Sequence, residues 1–216
     1  MTRTLLTAWL LLAAVTSAAQ EYDKDSALTI SQAAIGTRLD NYLLRDAHGQ
    51  AFDLEQLRGR PLVVSMIYTS CHHVCPMITR NLADTVDVAR EALGDSSFSV
   101  VTIGFDWKND SPERMRQFAA QQGVVDLQNW HFLATDATTI DALSENLGFL
   151  FYPSAKGFDH LTQTTVVDRN GVIYRQLYGV DIDTQVLVEP LKELVFDTPR
   201  SAGLIEHWVS TFKLFC

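Results

Sequence analysis

Two cysteines stand four positions apart in the run Tyr68-Thr69-Ser70-Cys71-His72-His73-Val74-Cys75-Pro76. Beyond them Ile78, Leu82, Val86 and Ala89 recur at helical spacing, and Pro76 suits a first helical turn, where no N–H is needed for the ladder. A cysteine pair at a helix start puts both sulfurs on one face, because 3.6 residues make a turn. The partial positive charge of the helix amino terminus favours thiolate over thiol there. Two chemistries open from this arrangement. The sulfurs can close a disulfide, which needs a Cα separation of about 4.4–6.8 Å. They can also converge on a soft metal, since thiolates select copper(I) and related ions. An exposed, helix-initial setting is expected for the pair, with Cys71, ahead of the helix, the more exposed of the two.

A third ligand would turn the pair into a metal site. His72 and His73 lie between the cysteines, either as ligands or as solvated loop side chains. His131 falls inside a short strand and reads as structural; His207, beside Trp208, carries no signal. His160 sits in Gly157-Phe158-Asp159-His160, which reads as a loop immediately before a strand. A closed structural zinc site wants four protein ligands, and only three clearly converge in this reading.

The positioning elements follow from the apolar pattern. Residues 62–68 form a continuous apolar run, the mark of a strand buried inside a parallel sheet, and the cysteines follow it directly. A helix to about Leu93 comes next, then a second buried strand over 98–105. Ser111-Pro112-Glu113 opens another helix. A short strand over 130–133 and a helix over 139–147 continue the alternation. The segments 163–167 and 173–178 flank Asp168-Arg169-Asn170-Gly171, a hairpin turn signal, and 187–195 closes with a helix. Residues 20–50 read as polar and turn-rich, with one short strand near 42–44, and 52–54 as part of a turn. This order is that of a thioredoxin-like α/β fold: a central mixed sheet flanked by helices, here with an N-terminal extension and a C-terminal tail. In such an arrangement the loop at His160 faces the first helix start, so its imidazole can approach the two sulfurs.

The chain has 216 residues, of which 47% are apolar, enough for one compact domain. Its formal charge of −9 leaves no basic face for nucleic acid. Arg3, the apolar run 5–15 and small residues at 17–19 make the three-part pattern of a secretory signal, with cleavage expected after Ala18 or Ala19. The apolar run is short of the roughly 20 residues that cross a bilayer as a helix; left uncleaved, it would anchor the protein to the membrane. Export to a bacterial periplasm is therefore expected, where cysteine chemistry can be oxidative. The expected divisions are a signal segment over 1–19, a lead-in over 20–37, the folded domain over 38–196 and a tail over 197–216. Two neighbouring cysteines and a third at Cys216 do not make a disulfide framework.

The motif Cys71-x3-Cys75-Pro76, the distant Asp159-His160, and Phe105-Asp106-x3-Asp110-Ser111-Pro112-Glu113 together resemble the Sco/SenC/PrrC proteins over about residues 38–196. The resemblance implies a thioredoxin-fold copper protein with Cys71, Cys75 and His160 as copper ligands. It also implies a redox-active Cys71–Cys75 disulfide and Asp106 and Asp159 close to the site. The implied role is a metallochaperone that delivers copper to the dinuclear copper centre of a cytochrome c oxidase. Its partners would be the copper-centre subunit of that oxidase and a periplasmic copper donor or thiol reductant. The alternative is a thiol–disulfide oxidoreductase in which Cys71 attacks and Cys75 resolves. A copper-responsive regulatory module would use the same residues. The chain departs from the pattern in placing His72-His73 where Pro-Asp is commoner, and Trp107 where proline often stands.

Overall fold

In the computed structural model, residues 22–125 and 127–197 are described. The expected signal segment, His207 and Cys216 lie outside them, as does the tail apart from Asp197. Among the described residues no helix is long and apolar enough to cross a membrane.

The chain opens with α1 (Lys24–Ala33), then β1 (Leu43–Asp46), β2 (Ala51–Asp53) and a short 3-10 turn over Leu54–Leu57. It continues through β3 (Leu62–Ile67), α2 (Val74–Leu93), β4 (Ser99–Gly104), α3 (Pro112–Gln122), β5 (Trp130–Ala134) and α4 (Ala137–Leu147). Two short strands, β6 (Phe151–Ser154) and β7 (Gly157–His160), precede β8 (Gln163–Val167), β9 (Ile173–Tyr178) and α5 (Thr184–Val195). Seven strands form one mixed sheet in the order β2-β1-β5-β4-β3-β8-β9. Its centre, β5-β4-β3, is parallel, and β8 joins β3 antiparallel. Every residue of β3 and β4 is buried, which is why both segments read as unbroken apolar runs.

The helix starts are local chemistry. Ser111 accepts a hydrogen bond from the Arg114 N–H, and Pro112 fills the first helical position of α3. Asp136 caps α4 and Asp183 caps α5 in the same way. The β8–β9 hairpin turns on Asp168, whose carboxylate takes the N–H groups of Asn170 and Val172.

Three expectations change. The lead-in holds a helix: Asp23 accepts from the Ser26 N–H and starts α1, which buries Ala27 and Ser31. Ser31 Oγ then hydrogen-bonds Gln163 on β8 and Tyr178 on β9, fastening α1 to the sheet. Residues 51–53 pair with β1 as a second strand instead of making a turn. The segment 157–160 is a strand paired with β6, not a loop, and the two form a ribbon separate from the main sheet.

Candidate metal centre

The cysteine loop leaves β3 at Tyr68, and the Cys71 N–H bonds back to the Tyr68 carbonyl at 3.2 Å. His73 occupies the N-cap of α2, yet its side chain makes no capping bond. The sulfur of Cys71 meets that need in part: it accepts the Cys75 N–H at 3.4 Å. A sulfur that receives a helix-terminal N–H is biased toward thiolate. No disulfide joins the pair in the structure. Neither is exposed, contrary to expectation: Cys71 is 9% accessible and Cys75 0%, although Cys71 is the more open, as its place ahead of the helix implied.

His160 ends β7 and is 1% exposed. Its ring stands edge-on to Phe105 at 5.1 Å and Tyr68 at 6.1 Å, with Phe149 at 5.5 Å. Nδ1 lies 2.7 Å from the Leu161 carbonyl oxygen, so this nitrogen carries the proton and donates. Nε2 then holds the lone pair; it is buried and has no hydrogen-bond partner. Burial pulls the imidazole below its ordinary pKa, opposed by the Leu161 carbonyl, by Cys71 and by Asp159. His160 is thus a neutral ring with an unspent lone pair, electrostatically within reach of Cys71. That is the donor state a soft metal takes from histidine. Among the described residues, no three His, Cys, Asp or Glu side chains already stand together as a metal cage. The fold joins Cys71 to Cys75 and brings His160 near Cys71 without closing a triad.

The remaining candidates separate. His72 and His73 are exposed on the loop between the cysteines. His131 packs its ring against Phe52 at 4.7 Å, with burial the main influence lowering its pKa. Asp106 is buried, and its carboxylate accepts from the Asn109 side-chain amide within its own turn. Asp159 lies on β7 opposite Tyr152 and adds to the rise in the pKa of Tyr22, whose first cause is burial.

One carboxylate was not singled out from the sequence. Asp110, 1% exposed, accepts the Thr69 N–H at 2.8 Å and the Thr69 hydroxyl at 2.7 Å on one oxygen, and the Asp106 N–H at 2.9 Å on the other. Burial pushes its pKa up to about 6, against those three hydrogen bonds. Its signal was present in the spacing Asp106-x3-Asp110, but two of its three donors are backbone N–H groups, which leave no trace in side-chain types, and the third, the Thr69 hydroxyl, lies 41 positions away. The aromatic wall of Tyr68, Phe105, Phe149, Phe151 and Phe158 was likewise unassigned.

The family model described as SCO1/SenC matches residues 32–195. The chain belongs to the SCO1/SenC family. Among curated relatives of this SCO1/SenC chain, the SCO1 protein homolog of Bacillus subtilis (strain 168) is 28% identical over 97 residues. That match spans 44% of this chain and 48% of the relative, less than half its length. Bradyrhizobium japonicum ScoI, solved with copper bound, is 20% identical at a TM-score of 0.59, covering 74% of this chain and 99% of its own. BsSco, described as a member of the Sco family of cytochrome c oxidase assembly proteins with a disulfide switch, is 18% identical at a TM-score of 0.65, covering 73% and 93%. The SCO1/SenC chain has the thioredoxin-like fold expected of it, a mixed sheet flanked by helices.

Proposed function

We propose that this SCO1/SenC protein is an exported copper carrier that binds copper through the Cys71 and Cys75 thiolates and the His160 Nε2, and passes it to the dinuclear copper centre of a cytochrome c oxidase. The observation that carries the reading is the buried, unpartnered Nε2 of His160 beside a cysteine pair. A buried polar atom with no partner costs free energy, which an incoming metal offsets. Copper bound to Bradyrhizobium japonicum ScoI supports the cargo, and the description of BsSco supports the recipient. Two thiolates and one imidazole leave a position open, so an incoming ligand can join before the first ones depart. Both sulfurs must be reduced for the metal to bind. A copper donor or a thiol reductant of the same compartment would act upstream, the chain reaching that compartment through the signal-like segment at 1–19.

The Cys75 N–H on the Cys71 sulfur favours a second reading, a thiol–disulfide oxidoreductase. The Cys71 thiolate would attack a partner disulfide, and Cys75 would resolve the mixed species. The Cys71–Cys75 disulfide then forms as the partner's two sulfurs leave as thiols.

Copper titration of the reduced protein decides between them. About one copper(I) per chain is expected, and the copper(II) form should show thiolate-to-copper charge transfer. A protein that retains no copper yet reduces disulfides efficiently establishes the second reading and removes the first.

A further inference from the structure

Asp110 bridges two loops that the sheet alone does not tie together. One is the cysteine loop after β3, gripped through both donors of Thr69; the other is the loop after β4, gripped through the Asp106 N–H. Thr69 stands two residues ahead of Cys71, and Phe105, next to Asp106, packs on the His160 ring. The fold makes room for this carboxylate. A Cβ on Gly104 would lie 2.5 Å from the Asp110 Cβ and 2.8 Å from the Met115 sulfur.

We propose that Asp110 is a positioning residue that holds the Cys71 sulfur on the Cys75 N–H and so sets the dithiol–disulfide balance of the pair. Three donors on two oxygens require an acceptor at both, which a carboxylate supplies and an amide does not. As a bare charge, Asp110 works against a thiolate at Cys71; as a clamp, it works for one. The two roles therefore predict opposite signs. The inference rests on the cysteine pair being the working centre, and it is read in metal-free protein, where the copper reading plays no part.

The experiment equilibrates metal-free protein with reduced and oxidised glutathione and measures the fraction of Cys71–Cys75 disulfide. Asp110→Asn should move the equilibrium toward disulfide by about fivefold, the equivalent of one hydrogen bond. Thr69→Val, which keeps shape and charge but removes one donor, should move it the same way. Thr69→Ser restores that donor and should stay within about twofold of the parent. A shift toward dithiol in Asp110→Asn, or no shift, overturns the proposal. If Asp110→Asn does not fold, Thr69→Val carries the decision, and an unmoved equilibrium there overturns it. Copper(I) affinity of the same variants is measured separately, so the carrier reading can fail while this one stands.

Discussion

The His160 imidazole gives its Nδ1 proton to the carbonyl oxygen of Leu161, 2.7 Å away, and so keeps its Nε2 lone pair unspent. A backbone acceptor one residue along fixes the tautomer without a second side chain. His160→Ala should weaken copper(I) binding by at least about tenfold, whereas His131→Ala should change it by less than about twofold. Competition against a chelator of known affinity measures both. Equal affinities in the two variants would remove His160 from the ligand set.

Cys71 also has a structural duty, because its sulfur takes an N–H at a helix start where His73 makes no cap. Cys71→Ala should lower stability by about 1 kcal/mol, as loss of a helix cap does. Cys71→Ser, whose hydroxyl can accept the same N–H, should lose less. Urea unfolding of the reduced, metal-free proteins tests the ranking, and the reverse order would show that the sulfur contributes packing alone.

Gly104 has no room for a methyl group. A Cβ there meets Asp110 at 2.5 Å and Met115 at 2.8 Å, and the neighbours are a buried carboxylate stem and a core sulfur. Gly104→Ala should destabilise by about 1–3 kcal/mol, the usual cost of overpacking. Thermal unfolding would detect it, and an unchanged midpoint would mean that Asp110 can shift without penalty.

The raised pKa of Asp110 predicts a pH dependence with a definite sign. Its ordinary value of 3.8 moves to about 6 in the fold, so across that interval the folded state holds more protons than the unfolded chain. The stability this group contributes is complete below about pH 4 and lost as pH rises through about 6. Asp110→Asn stays neutral throughout. The difference in unfolding free energy, parent minus variant, should therefore fall between those pH values and be flat on either side. A difference that rises with pH would mean that the three hydrogen bonds outweigh burial.

The parts legible in the sequence are those where one physical cause dominates. β3 and β4 declared themselves because both faces of each strand are buried, and α3 because Ser111 and Pro112 are local signals. The cysteine pair was legible because few residue types share its chemistry. α1 carried a local cap at Asp23 but was missed because what seats it is Ser31 reaching β8 and β9, contacts distant in sequence. β7 was missed because four residues opening on glycine show too little alternation to name a strand. The burial of Cys71 is tertiary and has no local mark. Asp110 stayed hidden for the same reason, since its link to Thr69 spans 41 positions.

Among the described residues the β6–β7 ribbon shares no ladder with the seven-stranded sheet, so the cysteine loop follows a strand of one sheet and His160 ends a strand of the other. The imidazole still packs onto the main body, through Tyr68 just after β3 and Phe105 just after β4. Under the proposed ligand set, a receiving surface that displaced the ribbon would move His160 and leave the two cysteines with their own sheet.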